Sequence, residues 1–112
     1  MQGKTQVLAS GIGLMDTYQT RKANIMEYKK STVAIEVLDA GSGVTYYVRG
    51  HPVAGQPAYL TISSGDITVS GGYTFITSGM DSHVYEEVVV AAKATSAGES
   101  GLVTILIANK VK

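Results

Sequence analysis

The sequence predicts an all-β fold: an antiparallel β-sandwich or jelly roll of about eight strands, with an N-terminal arm or extra strand. Apolar and polar residues alternate in short runs such as residues 32–38 (TVAIEVL), which is typical of strands with one buried face. Turn residues recur roughly every 6–12 positions along much of the chain. Glycine is frequent, at 13 of 112 residues, and proline is rare, at two, which suits short strands joined by glycine turns.

The N-terminal part of the chain is the ambiguous one. Residues 5–9 are a candidate strand, and residues 14–30 fit either an interrupted helical stripe or a strand at 17–20 that leads into a loop. The strand-plus-loop interpretation is favoured. We therefore expect a single domain with an N-terminal arm, or strand and loop region, at residues 1–30 and a sandwich core at residues 31–112.

The central part of the chain has a clearer pattern. Strands are predicted at residues 32–38, 44–49, 58–63, 67–70 and 73–77. Alternation in the third of these runs places Leu60 and Ile62 on the buried face, and Ser-Gly-Asp at 64–66 predicts a turn directly after it.

The two last runs, residues 86–94 and 102–108, flank a break of small and polar residues at 95–101, which predicts a hairpin with a long loop. Both runs are apolar on both faces, whereas a half-exposed strand should alternate. We therefore expect a cover on each face. One cover is the rest of the chain; the other is a second subunit or, alternatively, the loops of the same sandwich.

Subunit contacts are predicted on this hairpin and on two tyrosines of the strand at 44–49, because tyrosine combines apolar area with a hydroxyl and is frequent at interfaces. The candidates are Tyr46, Tyr47, Glu86, Glu87, Val89, Ala91, Lys93, Leu102, Leu106 and Ala108. An aspartate at Val89 or Leu106, on the face assigned away from the core, should disrupt assembly more than folding.

No catalytic or metal-binding pattern is present. The chain has no cysteine, and His51 and His83 are far apart without the spacing of metal ligands. Glu86 and Glu87 are adjacent, so on a strand they face opposite sides and do not form a carboxylate pair. The sequence also lacks a GxSxG nucleophile elbow. We expect no cofactor, no metal and no enzymatic activity.

The charge balance bears on possible partners. Nine basic and nine acidic residues cancel, which disfavours general binding to nucleic acid or to a membrane surface. No stretch approaches the length of an apolar membrane span, and the N-terminus lacks the apolar region of a signal peptide. We therefore expect a protein made in a cytoplasm.

Four segments together resemble a known group of proteins in composition and strand rhythm. They are STVAIEVLDAGSGVTYYVRG at 31–50, GDITVSGGYTFITSGM at 65–80, YEEVVVAAKAT at 85–95 and GLVTILIANKV at 101–111. This pattern resembles the small β-sandwich virion proteins of tailed bacteriophages. The resemblance implies capsid decoration (cement), head–tail auxiliary or fibre-base roles, and an N-terminal arm that reaches onto a neighbour. It transfers no individual functional residue.

The first functional hypothesis is therefore a non-enzymatic structural virion protein. It would form a homo-oligomer, a trimer or higher, and bind a major capsid protein or another virion protein. The alternative of another class is a carbohydrate- or receptor-binding module that uses Tyr46 and Tyr47 or the loop at 51–56. An enzyme, such as a cupin-like isomerase or a hydrolase, lacks the ligand and nucleophile patterns that it would need.

Overall fold

The computed structural model describes residues 4–41, 43–69, 71–76, 85–96 and 101–110. Across these ranges the chain forms eight β-strands and no helix. The strands are β1 Lys4–Leu14, β2 Gln19–Asn24, β3 Lys30–Asp39, β4 Val44–His51, β5 Leu60–Ile67, β6 Gly72–Ile76, β7 Glu87–Ala94 and β8 Gly101–Lys110.

The strands form two four-stranded antiparallel sheets that pack face to face. The first sheet has the order β1-β8-β3-β6, and the second has the order β2-β7-β4-β5. Only β4 and β5 are consecutive strands of the same sheet; every other pair of consecutive strands is divided between the two sheets. This is the strand order of an eight-stranded jelly roll, so the predicted all-β sandwich is confirmed.

The core lies between the two sheets and is built from alternate residues of each strand. Val33, Ile35 and Val37 of β3 are almost fully buried, as their spacing predicts, and the intervening Glu36 is partly exposed. Val88 and Val90 of β7 are buried in the same cluster from the opposite sheet. Period-two alternation therefore identified the inner faces of these strands correctly.

The N-terminal residues contribute an edge strand to each sheet. β1 pairs with β8 and carries two register shifts, and β2 pairs with β7. Ala9, Leu14 and Ala23 on these strands belong to the core cluster. The predicted extra strand is thus present, and residues 14–30 contain a strand as favoured, although β2 lies at Gln19–Asn24 and not at the predicted 17–20. The boundary at residue 30 stays a prediction.

The predicted C-terminal hairpin is wrong. β7 pairs with β2 and β4 in the second sheet, whereas β8 pairs with β1 and β3 in the first. The break at 95–101, of which 97–100 lie outside the described residues, connects the two sheets. Packed sheets lie about 10 Å apart, a distance that a short segment spans as easily as it closes a hairpin.

The region around β5 also differs from the prediction. The expected turn at 64–66 lies inside β5, and Ile67 ends this strand instead of beginning another. Gly65 lies within the strand beside Tyr46, where a Cβ would make only an ordinary van der Waals contact of 3.7 Å with the ring. Ile62 packs against the core as expected, but Leu60 is 58% exposed. The predicted loop at 78–82 and His83 lie outside the described residues.

Candidate binding surfaces

The outer face of the second sheet carries a continuous row of rings and cations, which we call the tyrosine–cation row: Lys93, Tyr18, Tyr47, Arg49 and Tyr59. The rings of Tyr18 and Tyr47 meet edge to face, with 4.8 Å between their centroids. The Arg49 guanidinium carbon lies 3.9 Å from the Tyr47 centroid and 4.2 Å from that of Tyr59. The Lys93 ammonium lies 5.0 Å from the Tyr18 centroid.

The pleat of β4 explains why this row forms. Thr45, Tyr47 and Arg49 are alternate residues, so their side chains share the face opposite to the buried Val44, Tyr46 and Val48. β5 extends this face, because its residues pair in register with those of β4. The pairs are Thr45 with Asp66, Tyr47 with Ser64, and Arg49 with Thr61.

A cleft of about 390 Å³ lies over this part of the sheet. Its walls include Tyr18, Tyr47 and Arg49, and hydroxyl and carboxylate groups of β4 and β5 also line it. Ligand pockets commonly start at about 300 Å³, so the cleft has room for a small ligand. The polar groups that line it are Thr45, Thr61, Ser64 and Asp66.

Arg49 is held by aromatic rings. The guanidinium forms no hydrogen bond or ion pair with another described residue, and its buried Nε has no hydrogen-bond partner among them. The guanidinium lies over the rings of both Tyr47 and Tyr59. The group is thus positioned before any ligand binds, and the N–H donors of its two terminal nitrogens form no hydrogen bond with a described residue.

Asp66 lies near the opposite end of the same cleft. The Thr45 hydroxyl donates a hydrogen bond of 2.7 Å to Asp66 Oδ1, and the hydroxyls of Thr45 and Thr95 are 2.9 Å apart. Within the described part of the chain, Oδ1 is the Asp66 carboxylate oxygen that takes part in a hydrogen bond, so Oδ2 can accept one from a ligand.

A second cleft, of about 300 Å³, lies on the same face beside the loop after β4. Lys22, His51, Gln56, Glu87 and Val89 contribute to its lining. His51 Nδ1 is 2.9 Å from the Gln56 carbonyl oxygen, which fixes the loop that the sequence singled out at 51–56.

The outer face of the first sheet is different in character, because apolar side chains cross it. We call it the apolar face; its members are Val7, Ala34, Leu102, Leu106 and Ala108. Val7 of β1 pairs with Leu106 of β8, which pairs in turn with Ala34 of β3, so three strands form one row. Val7 is 61% exposed and Leu102 is 38% exposed.

The interface candidates from the sequence do not form one surface. Leu102, Leu106 and Ala108 lie on the apolar face, whereas the candidates on β7 lie on the other side of the sandwich. Those on the outer face of the second sheet are Tyr47, Glu87, Val89, Ala91 and Lys93. The single hairpin surface is therefore corrected to two opposite faces, and the interface roles themselves stay predictions.

Four candidates are placed in positions that restrict contact with a partner. Tyr46 belongs to the core cluster and is 9% exposed. Val89 and Ala91 face outward from the second sheet, yet they are 8% and 0% exposed because neighbouring side chains of the same chain cover them. Glu86 stabilises the adjacent loop, where its carboxylate accepts a hydrogen bond of 2.9 Å from the Ala54 amide.

Four residues of this site were not among the candidates predicted from the sequence. They are Tyr18, Arg49 and Tyr59 of the tyrosine–cation row, and Asp66. The alternation at 44–49 did place Tyr47 and Arg49 on one face, which was the available signal. Tyr18 and Tyr59 fall inside the predicted strands at 17–20 and 58–63, but strand alternation does not show which rings meet across strands; in the structure both lie just before β2 and β5.

The described residues contain no group of three or more histidine, cysteine, aspartate or glutamate residues that could hold a metal ion. Within the same ranges, no helix has the length and apolar character needed to cross a membrane.

Comparison with known proteins shows similarity of fold. No protein-family model matches the sequence, and no curated protein matches it. Among solved structures, a subunit of Bacillus endospore appendages, described as disulfide-linked pili, superposes with a TM-score of 0.57 and 15% identity over 99% of this chain and 90% of that one. YomS from the SPBc2 prophage gives 0.57 and 7% identity over 96% and 91%.

A chitosan-binding module from a chitosanase/glucanase of Paenibacillus sp. IK-5 is also similar, with a TM-score of 0.55 and 16% identity. The match covers 94% of this chain and 75% of the module. At these identities the three similarities establish the β-sandwich fold of the chain.

Proposed function

We propose that the chain is a non-enzymatic structural subunit of a virion, a capsid decoration or auxiliary protein that assembles with copies of itself. The apolar face carries this proposal. Val7 and Leu102 expose apolar area beside Leu106 and Ala108 on one broad sheet surface, and such patches mark interaction sites in soluble proteins.

Burial of this face would stabilise an assembly. Full burial of a valine or leucine side chain contributes about 1.5–3 kcal/mol, and several such side chains lie on adjacent strands. Association loses several kcal/mol of translational and rotational freedom, so a contact needs more than one of them. Val7 and its cross-strand neighbour Leu106 supply adjacent side chains for this purpose, whereas Ala34 is already buried within the subunit.

The structural relatives support an assembling role and a phage origin. One of them builds pili and another is prophage-derived. The pili are disulfide-linked, whereas this chain has no cysteine. Contacts between its copies would therefore rest on packing of surfaces such as the apolar face, and the particle contact would involve a major capsid or other virion protein.

Size measurement tests the proposal. Size-exclusion chromatography with light-scattering detection at micromolar concentration should show a trimer or higher oligomer, and Val7→Asp and Leu106→Asp should shift it toward monomer. Val69→Asp is the matched control: Val69 is 74% exposed and lies in the β5–β6 connection, so this variant should keep the wild-type size. A monomeric wild type that also fails to bind capsid particles of its own virus would contradict the proposal.

The tyrosine–cation row favours a second candidate function, a carbohydrate- or receptor-binding module. Tyr18 and Tyr59 are 42% and 46% exposed beside a cleft lined by hydroxyl groups, and Arg49 lacks an intramolecular hydrogen-bond partner among the described residues. A chitosan-binding module with this fold supports the candidate. It is compatible with the first, since the row and the apolar face lie on opposite sides of the sandwich.

A further inference from the structure

We propose that the cleft between Tyr18, Arg49 and Asp66 is a subsite for a neutral oligosaccharide. The inference rests on the second candidate function, the carbohydrate-binding module, and specifies where and what that module binds. Aromatic surface, hydrogen-bond complementarity and charge balance support it in turn.

The hydrogen-bonding groups of the cleft match a ligand rich in hydroxyls. A guanidinium only donates hydrogen bonds and a carboxylate only accepts them, whereas a hydroxyl does both. Arg49 offers donors near one end of the cleft and Asp66 an acceptor near the other, with hydroxyls of Ser64 and Thr61 on the strand between. A chain of sugar hydroxyls can satisfy all of these groups at once.

The spacing of these groups favours more than one sugar ring. Arg49 and Thr45 are four residues apart on β4, and Thr45 pairs with Asp66, so the two charged groups originate about 13 Å apart along the strand direction. Tyr18 and Tyr47 form a wall in the intervening space. The exposed Tyr18 ring provides an apolar surface for the C–H face of a pyranose.

The charge of the cleft favours a neutral ligand. It contains one cation and one carboxylate, which are both fixed by intramolecular contacts at different positions. An oligosaccharide that carries the same charge on every ring and spans both ends would meet a like charge at one of them, Asp66 for uronates and Arg49 for amino sugars.

A protein partner fits this site less well than a saccharide. A specific protein interface extends over a broad surface, about 800 Å² on each partner, whereas the unpartnered polar groups here converge on one cleft. The volume of this cleft, about 390 Å³, corresponds to a small-ligand pocket.

The test uses the full chain and six oligosaccharides: cellohexaose, maltohexaose, xylohexaose, mannohexaose, an oligogalacturonate and a glucosamine hexamer. Isothermal titration calorimetry should show binding of at least one of the four neutral hexaoses. Arg49→Gln and Asp66→Asn should each weaken that binding about tenfold or more, because each removes a charge-assisted hydrogen bond. Asp66→Asn retains an oxygen that can accept the Thr45 hydrogen bond, so its fold should be preserved.

Two substitutions on β3, in the opposite sheet, serve as matched controls. Lys30→Gln removes a cation and Glu36→Gln a carboxylate far from the cleft, so saccharide affinity should change less than twofold. If a neutral hexaose binds and all four variants bind equally, the subsite is wrong while the carbohydrate-binding function stands. Binding restricted to the oligogalacturonate or the glucosamine hexamer overturns the neutral ligand class. If none of the six binds, both the subsite and the module are wrong.

Loss of self-assembly or capsid binding in Arg49→Gln, without saccharide binding by the wild type, would assign the row to a protein contact instead.

Discussion

Gly50 lies where β4 has no room for a side chain. It occupies an inner-face position, and a Cβ there would lie 2.5 Å from Cδ1 and 2.6 Å from Cγ of Tyr85. Tyr85 is a buried member of the core cluster, so its ring has little freedom to move away. We expect Gly50→Ala to lower the free energy of unfolding by about 1–3 kcal/mol, the usual effect of overpacking. Urea denaturation would measure this change.

Gly13 provides the control for this prediction. It is also a strand glycine, in β1, but no atom lies within 4 Å of the position that its Cβ would take. Gly13→Ala should therefore leave the free energy of unfolding unchanged or raise it slightly, because alanine restricts the unfolded chain. Equal stability of the two variants would show that Tyr85 does not pack closely on Gly50.

At the scale of single residues, the sequence predicted which side chains face the core. It did not predict which side chains contact each other on the outer faces of the sheets. Val33 and Val90 are buried as alternation required, because a period of two determines the face of every residue on a strand. The contact of Arg49 with Tyr59 joins β4 to the segment before β5. Such a contact depends on strand order and register, which alternation does not specify.

Among the strands, β1 and β2 are joined across the open side of the sandwich by one side chain. Arg21 Nε of β2 donates a hydrogen bond of 3.1 Å to the Leu8 carbonyl of β1, and another guanidinium nitrogen donates one of 2.9 Å to the Thr20 carbonyl. Leu8 lies at a register shift of β1, where its carbonyl is outside the regular ladder. Arg21 thus satisfies a backbone group at the position where the two edge strands approach each other.

We expect Arg21→Ala to destabilise this edge. Hydrogen bonds from a charged donor contribute about 1.5–3 kcal/mol, so hydrogen–deuterium exchange should become faster in the amides of β1 and β2 than in those of β3 or β4. Lys22→Ala is the neighbouring control, because Lys22 faces the outer side of β2 and, among the described residues, forms no such hydrogen bond to β1. Unchanged exchange in Arg21→Ala would mean that the ladders with β7 and β8 alone hold these strands.

The error in the C-terminal hairpin has a physical cause at this scale. Two adjacent apolar strands separated by a short polar break satisfy the usual signal for a hairpin, and the same signal fits a crossing between packed sheets. What decides between them is the partner of each strand. β7 is enclosed by β2 and β4, and β8 by β1 and β3. Those partners come from the start and middle of the chain, so local sequence does not reveal them.

For the whole molecule, the jelly roll separates two kinds of surface. The apolar face covers the first sheet, and the cleft with the tyrosine–cation row lies on the second, so the two surfaces point in opposite directions. Because β7 and β8 are apolar on both faces, the sequence predicted that their outer faces are covered as well as their inner faces. It did not predict that the outer faces of the two strands are covered differently. Side chains of the same chain cover Val89 and Ala91 on the second sheet, whereas Val7 on the first sheet remains exposed.

This separation leads to a prediction that combines the two proposals. If copies assemble through the apolar face, the clefts stay open and point outward, so assembly should not alter the intrinsic affinity of each subunit. The neutral hexaose should bind wild type and Val7→Asp with the same dissociation constant in calorimetry. On a surface densely coated with that hexaose, the wild-type oligomer should bind 10²–10⁴-fold more tightly than Val7→Asp, because several linked sites engage together.

Biolayer interferometry at low and high hexaose density would measure the difference, with Val69→Asp as the assembled control. A weaker solution affinity per subunit in the wild type would show instead that assembly covers the cleft, and the opposite orientation of the two surfaces would then not hold in the oligomer.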